Sequence, residues 1–174
     1  MELSLGDIGA IIAYVIPGIV AMLGLSYFSR TVRRWLGGAS NESPSFGGAL
    51  LFVLMALGVG LIADTVRSHT IDEIHHRTGV EQPEWTYSQL NKEKFEQFQG
   101  IVDNHFRFHQ FYGNTFICLL FAYIAWRAST KRWPWPPNWR EFCLVMLLLI
   151  MWIGSRSDLD ACYRAIEELV TQKP

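Results

Sequence analysis

The sequence predicts an all-α, polytopic membrane protein of four transmembrane helices, with a small helical cap extending from the second, third and fourth. Three observations lead there. Long, almost uncharged stretches recur at 8–28, 47–66, 110–126 and 139–154, each near the length that crosses a hydrocarbon core of about 30 Å. Small residues fall on single faces of the first three of those stretches, which lets membrane helices approach closely. Seven Trp and eleven Phe suit a chain that crosses two membrane interfaces, where aromatic rings prefer to sit.

The first span, Ile8–Phe28, places Gly6, Ala10, Ala13, Pro17, Ala21 and Gly24 at spacings of three and four. Pro17–Gly18 predicts a kink, because proline removes a backbone bond and crowds the preceding turn. With no basic region before it and no A-x-A site, the segment reads as a retained helix. Ser29–Ser45 reads as a short loop carrying Arg30, Arg33 and Arg34. In the second span Ala49, Ala56, Gly60 and Ala63 form the small face, and Asp64 stands three residues from Arg67, close enough to pair. The helix is expected to continue to Thr78 and stop at Gly79.

Thr86 and Gln89 resemble a capping box, and Phe95, Phe98, Val102 and Phe106 keep helical spacing. These predict an amphipathic helix, Thr86–Asn104, feeding the third span, with Gly100 as a weak point. Along that span Arg107, Gln110 and Asn114 form a polar stripe that passes into Cys118, Ala122 and Ala125. Such a stripe should face protein, since lipid would leave Asn114 unpaired. WPWPP between 128 and 140 cannot be helical and reads as a stiff turn. The fourth span continues as an amphipathic helix, Asp158–Gln172, with Leu159, Cys162, Ile166 and Leu169 on one stripe.

Because spans alternate in direction, the charged and amide residues meet at the cap end. The candidate ligand-binding set is Asp64, Arg67, Arg107, Gln110, Asn114, Arg156 and Asp158, with Glu2 and Asp7 nearby. Three Arg at one level suit an oxyanion such as a phosphate or carboxylate, while Asp64, Asp158 and Asp160 would neutralise some of them. The simpler alternative is an interfacial salt-bridge belt. The loop-side halves of the spans hold no comparable group. A second candidate set, Asp72 with His75 or His76 on one helix and His105 with His109 on another, has spacings compatible with a transition metal, though HExxH is absent and packing is the plainer role. No nucleophile or nucleotide motif appears, there being no GxSxG, no P-loop and no dinucleotide turn, and no cofactor is expected beyond that metal. Ser155–Arg156–Ser157–Asp158 reads as hydroxyls and a carboxylate satisfying groups at a membrane boundary. The three Cys make no disulfide framework.

A net charge of -1 argues against nucleic acid as partner. Lys and Arg concentrate in 29–45 and 127–140, which places those loops in the cytoplasm and the cap in the periplasm. The stretches AYVIPG (Ala13–Gly18), Asp64–Asp72, HFRFHQFYGN (His105–Asn114) and SRSDLDACY (Ser155–Tyr163) resemble small bacterial four-span inner-membrane proteins of unassigned activity. The chain is also similar to multi-span antiphage-defence membrane effectors. The resemblance implies a bacterial inner-membrane location and no reaction. The functional expectation is a self-associating integral membrane protein that acts by binding, as a membrane effector, a pore-forming subunit or an accessory subunit, with a polar anion- or ligand-binding site at the cap end. The second resemblance implies a place in antiphage defence. The expected partners are the lipid bilayer, its own copies, and a partner protein or small anionic ligand. The alternatives are a membrane hydrolase acting on a lipid or phospho-compound, and a structural scaffold.

Overall fold

The structure is a computed structural model and describes residues 9, 11–37, 46–86, 90, 92–130 and 139–171. Among them all regular structure is helical. A π-helical turn, Ile11–Val15, leads into α1 (Ile16–Leu25), followed by α2 (Arg30–Gly37) and α3 (Phe46–Arg77). Then come α4 (Lys92–Ile101), a second π-helical turn (Val102–Phe106), α5 (Arg107–Thr130) and α6 (Trp139–Thr171). The expected loop after the first span is thus partly helix, because Arg30–Gly37 is amphipathic. Thr86 lies outside any helix and α4 begins at Lys92. Gln89 of the expected capping box, the WPWPP turn and the acids Glu2 and Asp7 lie outside the described residues.

Two helices, α3 and α6, are long and apolar enough to cross a membrane, and most of their apolar windows are exposed on the protein surface. A soluble core helix would bury them. Their lengths, 32 and 33 residues, exceed what a bilayer needs. The apolar portions run to Ala63 in α3 and from Trp139 to Gly154 in α6, and the polar remainders project beyond. The other two expected spans differ: Ile11–Leu25 is a shorter apolar helix, and α5 carries Gln110, Asn114 and Thr115 in its buried face.

The core is made from small residues. A Cβ on Gly18 would lie 1.8 Å from the Ala56 carbonyl oxygen, and one on Gly60 would lie 2.0 Å from that of Tyr14. The first helix and α3 therefore cross backbone to backbone at two points. Gly24 meets Ala122 of α5 in the same way. Ala13, Ala21, Ala56, Ala63, Cys118 and Ala125 are buried along these seams. The small faces read from the sequence are thus largely occupied within one chain, although Ala49 is exposed and Gly6 and Ala10 lie outside the described residues.

α3 ends as expected, one residue earlier. Gly79 has φ of 100°, and the amides of Gly79 and Val80 donate to the carbonyls of His76 and His75. That closing pattern, with Val80 buried, satisfies two end carbonyls that a straight helix leaves open.

Candidate functional site

The buried stripe of α3 does not stop at Ala63: it continues through Arg67, Ile71 and His75. On α5 the corresponding stripe holds His109, Gln110, Gly113 and Asn114, and on α6 it holds Ser155, Leu159 and Cys162. Three helices thus bring polar side chains together just beyond the apolar part of α3, with Tyr14 joining from the first helix.

Arg67 is the centre, only 2% exposed. Its Nε and Nη2 donate to Asp64 Oδ1 at 3.2 and 3.0 Å, and its Nη1 donates to Asp72 at 2.6 Å. One guanidinium therefore serves two carboxylates, a geometry its planar fork allows and an ammonium does not. Gly113 makes room, since a Cβ there would lie 2.5 Å from Arg67 Cδ. Asp64 Oδ1 also accepts from Asn114 Nδ2 at 3.3 Å and from Gln110 Nε2 at 3.5 Å, and Gln110 donates to the Tyr14 hydroxyl at 3.1 Å.

Asn114 does a second job. Pro17 has no N–H to give the carbonyl of Ala13, four residues back, and Asn114 Nδ2 donates to that oxygen at 3.0 Å. The π-helical turn ends just before Pro17, so the helix irregularity expected there takes this form. A polar residue inside the bundle thereby repairs the backbone of its neighbour.

His109 is fully buried. Its Nδ1 lies 2.8 Å from the Ser155 carbonyl oxygen, which only accepts, so this nitrogen carries a hydrogen. Its Nε2 lies 2.6 Å from Arg67 Nη1 and 3.0 Å from Asp72 Oδ1. A bare Nε2 accepts from the guanidinium and a protonated one donates to the carboxylate. Burial acts to raise the Asp72 carboxyl, but the hydrogen bond with His109 and the charge of Arg67 outweigh it, and the net direction is down. His75 packs at a tilt of 54° against Trp152 with ring centroids 4.6 Å apart, and its Nε2 is 3.4 Å from Ser155 Oγ. Burial first, then the charges of His109 and Arg156, push its imidazole down to about 4, so it is neutral at pH 7.

Ser155 Oγ, His109 and Asp72 follow the order nucleophile, base, acid, with 3.0 Å at each step. The chemistry does not follow. The nitrogen facing Oγ is the one protonated toward a carbonyl, so it has no lone pair with which to take the serine proton. Ser155 is also fully buried in mid-helix, where no substrate carbonyl reaches it.

Of the expected ligand set, the structure brings together Asp64, Arg67, Gln110 and Asn114. The other three go elsewhere. Arg107 pairs with Asp103 one turn back at 2.9 Å and packs over Gly9, so it does not reach Asp64. Arg156 donates through Nη2 to the Thr78 carbonyl at 2.7 Å, tying α6 to the end of α3. Asp158 is half-buried; burial raises its carboxyl against the pull of His105 and His109. The three Arg therefore do not form one oxyanion clamp. Of the expected metal set, Asp72 and His109 touch, but His76 stacks on Tyr163 and donates or accepts at its hydroxyl, 3.1 Å away. Among the described residues no three His, Cys, Asp and Glu side chains converge in a way that holds a metal.

Sequence reasoning missed Tyr14, and it weighed His75 only as a metal ligand and Ser155 only as a boundary hydroxyl, not as members of this cluster. Extending the stripe Ala56, Gly60, Ala63 by its own period would have found His75, and extending Leu159, Cys162, Ile166 back one turn would have found Ser155. It also missed an ion pair at the opposite end. Arg127 and Glu141 meet at 3.0 Å, both largely buried, so the loop-side halves are not free of charge as expected.

Comparison of the chain with known protein families, with curated proteins and with solved structures found no match.

Proposed function

We propose that the chain is a multi-pass inner-membrane protein that self-associates and acts by binding, as a membrane effector or as an accessory subunit of a larger assembly. The observation that carries this reading is the outer surface of α3 and α6. Large apolar side chains such as Leu54, Ile62, Ile150 and Ile153 are more than half exposed there, on helices long enough to cross a bilayer. A contiguous surface of that kind needs lipid or protein against it. The polar cluster, in contrast, pairs Arg67, Asp64, Asp72 and His109 with one another, which favours a lock that fixes the cap over a site that turns over substrate.

In this reading Ile11–Leu25 and α5 cross the membrane beside α3 and α6, with residues 29–45 and 127–140 cytoplasmic and the cap periplasmic. Contacts between copies run through the outer faces of α3 and α6, because the small faces are used inside the chain. The hydrolase alternative draws on Ser155, His109 and Asp72, and the protonation at Nδ1 counts against it.

The test is mass measurement in mild detergent across a range of protein concentration, with cross-linking of single cysteines at Ile62 and Ile153 in a cysteine-free background. A discrete oligomer with cross-links between copies is expected. A particle that stays monomeric at high concentration overturns self-association. Labelling of single cysteines at Ser40 and Ser88 tests the orientation, which is wrong if Ser88 reacts only once the inner membrane is opened.

A further inference from the structure

We infer that α2 is an in-plane membrane helix whose arginine face binds the headgroups of anionic phospholipids. The inference rests on the membrane reading above and adds a ligand class to a surface that reading does not use.

The sequence of α2, RTVRRWLG, holds no acid. At 100° per residue Arg30, Arg33 and Arg34 fall within an arc of about 100°, opposite Val32 and Leu36. The structure follows that split: the three Arg are exposed, Val32 is buried and Leu36 half-buried. Arg33 is engaged with the end of α1, donating to the carbonyls of Ser26 and Tyr27 at 3.1 and 3.4 Å. Arg30 and Arg34, one turn apart, make no ion pair among the described residues. The rings of Tyr27 and Phe28 just before α2, and of Trp35 on its other side, are exposed, as aromatic side chains are where a helix meets the headgroup layer.

The position of α2 fits the same surface. Gly24 faces Ala122, and Arg127 pairs with Glu141, so the end of α1, the end of α5 and the start of α6 lie at one end of the bundle. Segments 26–46 and 127–141 join the helices on that side. Together they hold seven of the fifteen Lys and Arg but two of the sixteen Asp and Glu, so a net charge of -1 conceals a basic end and an acidic one. Arginine matches phosphate oxygens with parallel N–H bonds, and a basic side chain held at an anionic bilayer is drawn to it within a Debye length.

The experiment uses the full chain in zwitterionic micelles, titrated with dioleoylphosphatidylglycerol or dioleoylphosphatidylcholine and read by native mass spectrometry. The wild type should prefer the anionic lipid. R30Q/R34Q should weaken that binding roughly thirtyfold, about fivefold per arginine. The control R77Q/R164Q, with the same charge change at exposed sites on the other end, should leave it unchanged. Equal affinity of the wild type for both lipids overturns the inference, as does equal loss in both variants, which would reduce the effect to net charge. Binding of soluble poly-glutamate more tightly than phosphatidylglycerol at equal charge, lost in R30Q/R34Q, also overturns it, in favour of an acidic protein partner. Should R30Q/R34Q fail to fold, the wild type decides alone: binding must weaken from 50 to 500 mM salt, on the order of the screening expected over that range, and salt-independent affinity overturns the inference. Carbonate extraction separates the two readings. A chain released by carbonate loses the membrane reading itself, whereas one that stays without preferring the anionic lipid loses the lipid site alone.

Discussion

Arg67 is the residue whose removal should cost most. Its side chain is 3% exposed and bonds Asp64 at 3.0 Å and Asp72 at 2.6 Å. Truncation strands two half-buried carboxylates, Asp64 24% and Asp72 16% exposed, and breaking a largely buried pair in this way costs up to about 3–5 kcal/mol. For a chain of this size that corresponds to a fall of about 10 °C in the thermal midpoint. Arg67→Lys keeps the charge but reaches only one carboxylate, so it should recover less than half of the loss. Arg107→Ala is the internal comparison. Its pair with Asp103 is partly exposed and lies on one helix, so about 1 kcal/mol or less is at stake. The measurement is thermal unfolding in detergent at matched lipid content, with Arg67→Ala repeated in an Asp64→Asn, Asp72→Asn background. Neutralising the stranded carboxylates should restore more than half of the lost stability. If the triple variant is no better than Arg67→Ala, the loss comes from packing and the electrostatic argument fails. An Arg67→Lys protein as stable as wild type would refute the role of the fork.

Three further outcomes follow from the same geometry. Gly18→Ala and Gly60→Ala should each destabilise by about 1–3 kcal/mol or more, because the new methyl meets backbone oxygen at 1.8 and 2.0 Å, whereas Gly58→Ala, with open space around it, should be neutral or mildly stabilising in the same melts. Asn114→Leu should cost about 1–2 kcal/mol, and less in a Pro17→Ala background, where the restored N–H serves Ala13; a double-mutant cycle with no coupling would sink the repair argument. His75 has a depressed folded value of about 4 against an ordinary 6.5, so the unfolded chain binds the extra proton between those values. Stability should therefore fall as pH drops from about 6.5 toward 4, and His75→Gln should flatten that part of the profile, measured by thermal midpoint against pH.

Helices, their small faces and the collection of polar residues at one end were legible because they are local and periodic. A spacing of three and four puts Ala56, Gly60 and Ala63 on one face whatever surrounds the helix, and the same period extends to Arg67 and His75. The glycine stop after α3 is legible for the same reason, since its positive φ depends on the residue itself. Two local signals were nevertheless passed over: the acid one turn before Arg107 and the amphipathic pattern of RTVRRWLG.

Partner choice among the polar groups was settled by tertiary structure. Periodicity gives each side chain an angle about its own axis, but not the rotation of one helix against the next. That rotation is set where helices touch closely: Gly18 on Ala56 and Gly60 on Tyr14 for the first helix and α3, Gly24 on Ala122 and Gly113 on Arg67 for α5, and Gly154 on Tyr112 for α6. Once it is set, Asn114 faces the carbonyl that Pro17 cannot serve, and His109 enters between Arg67 and Asp72. Arg127 and Glu141 meet for the same reason, across two helices whose separate sequences give no sign of the other.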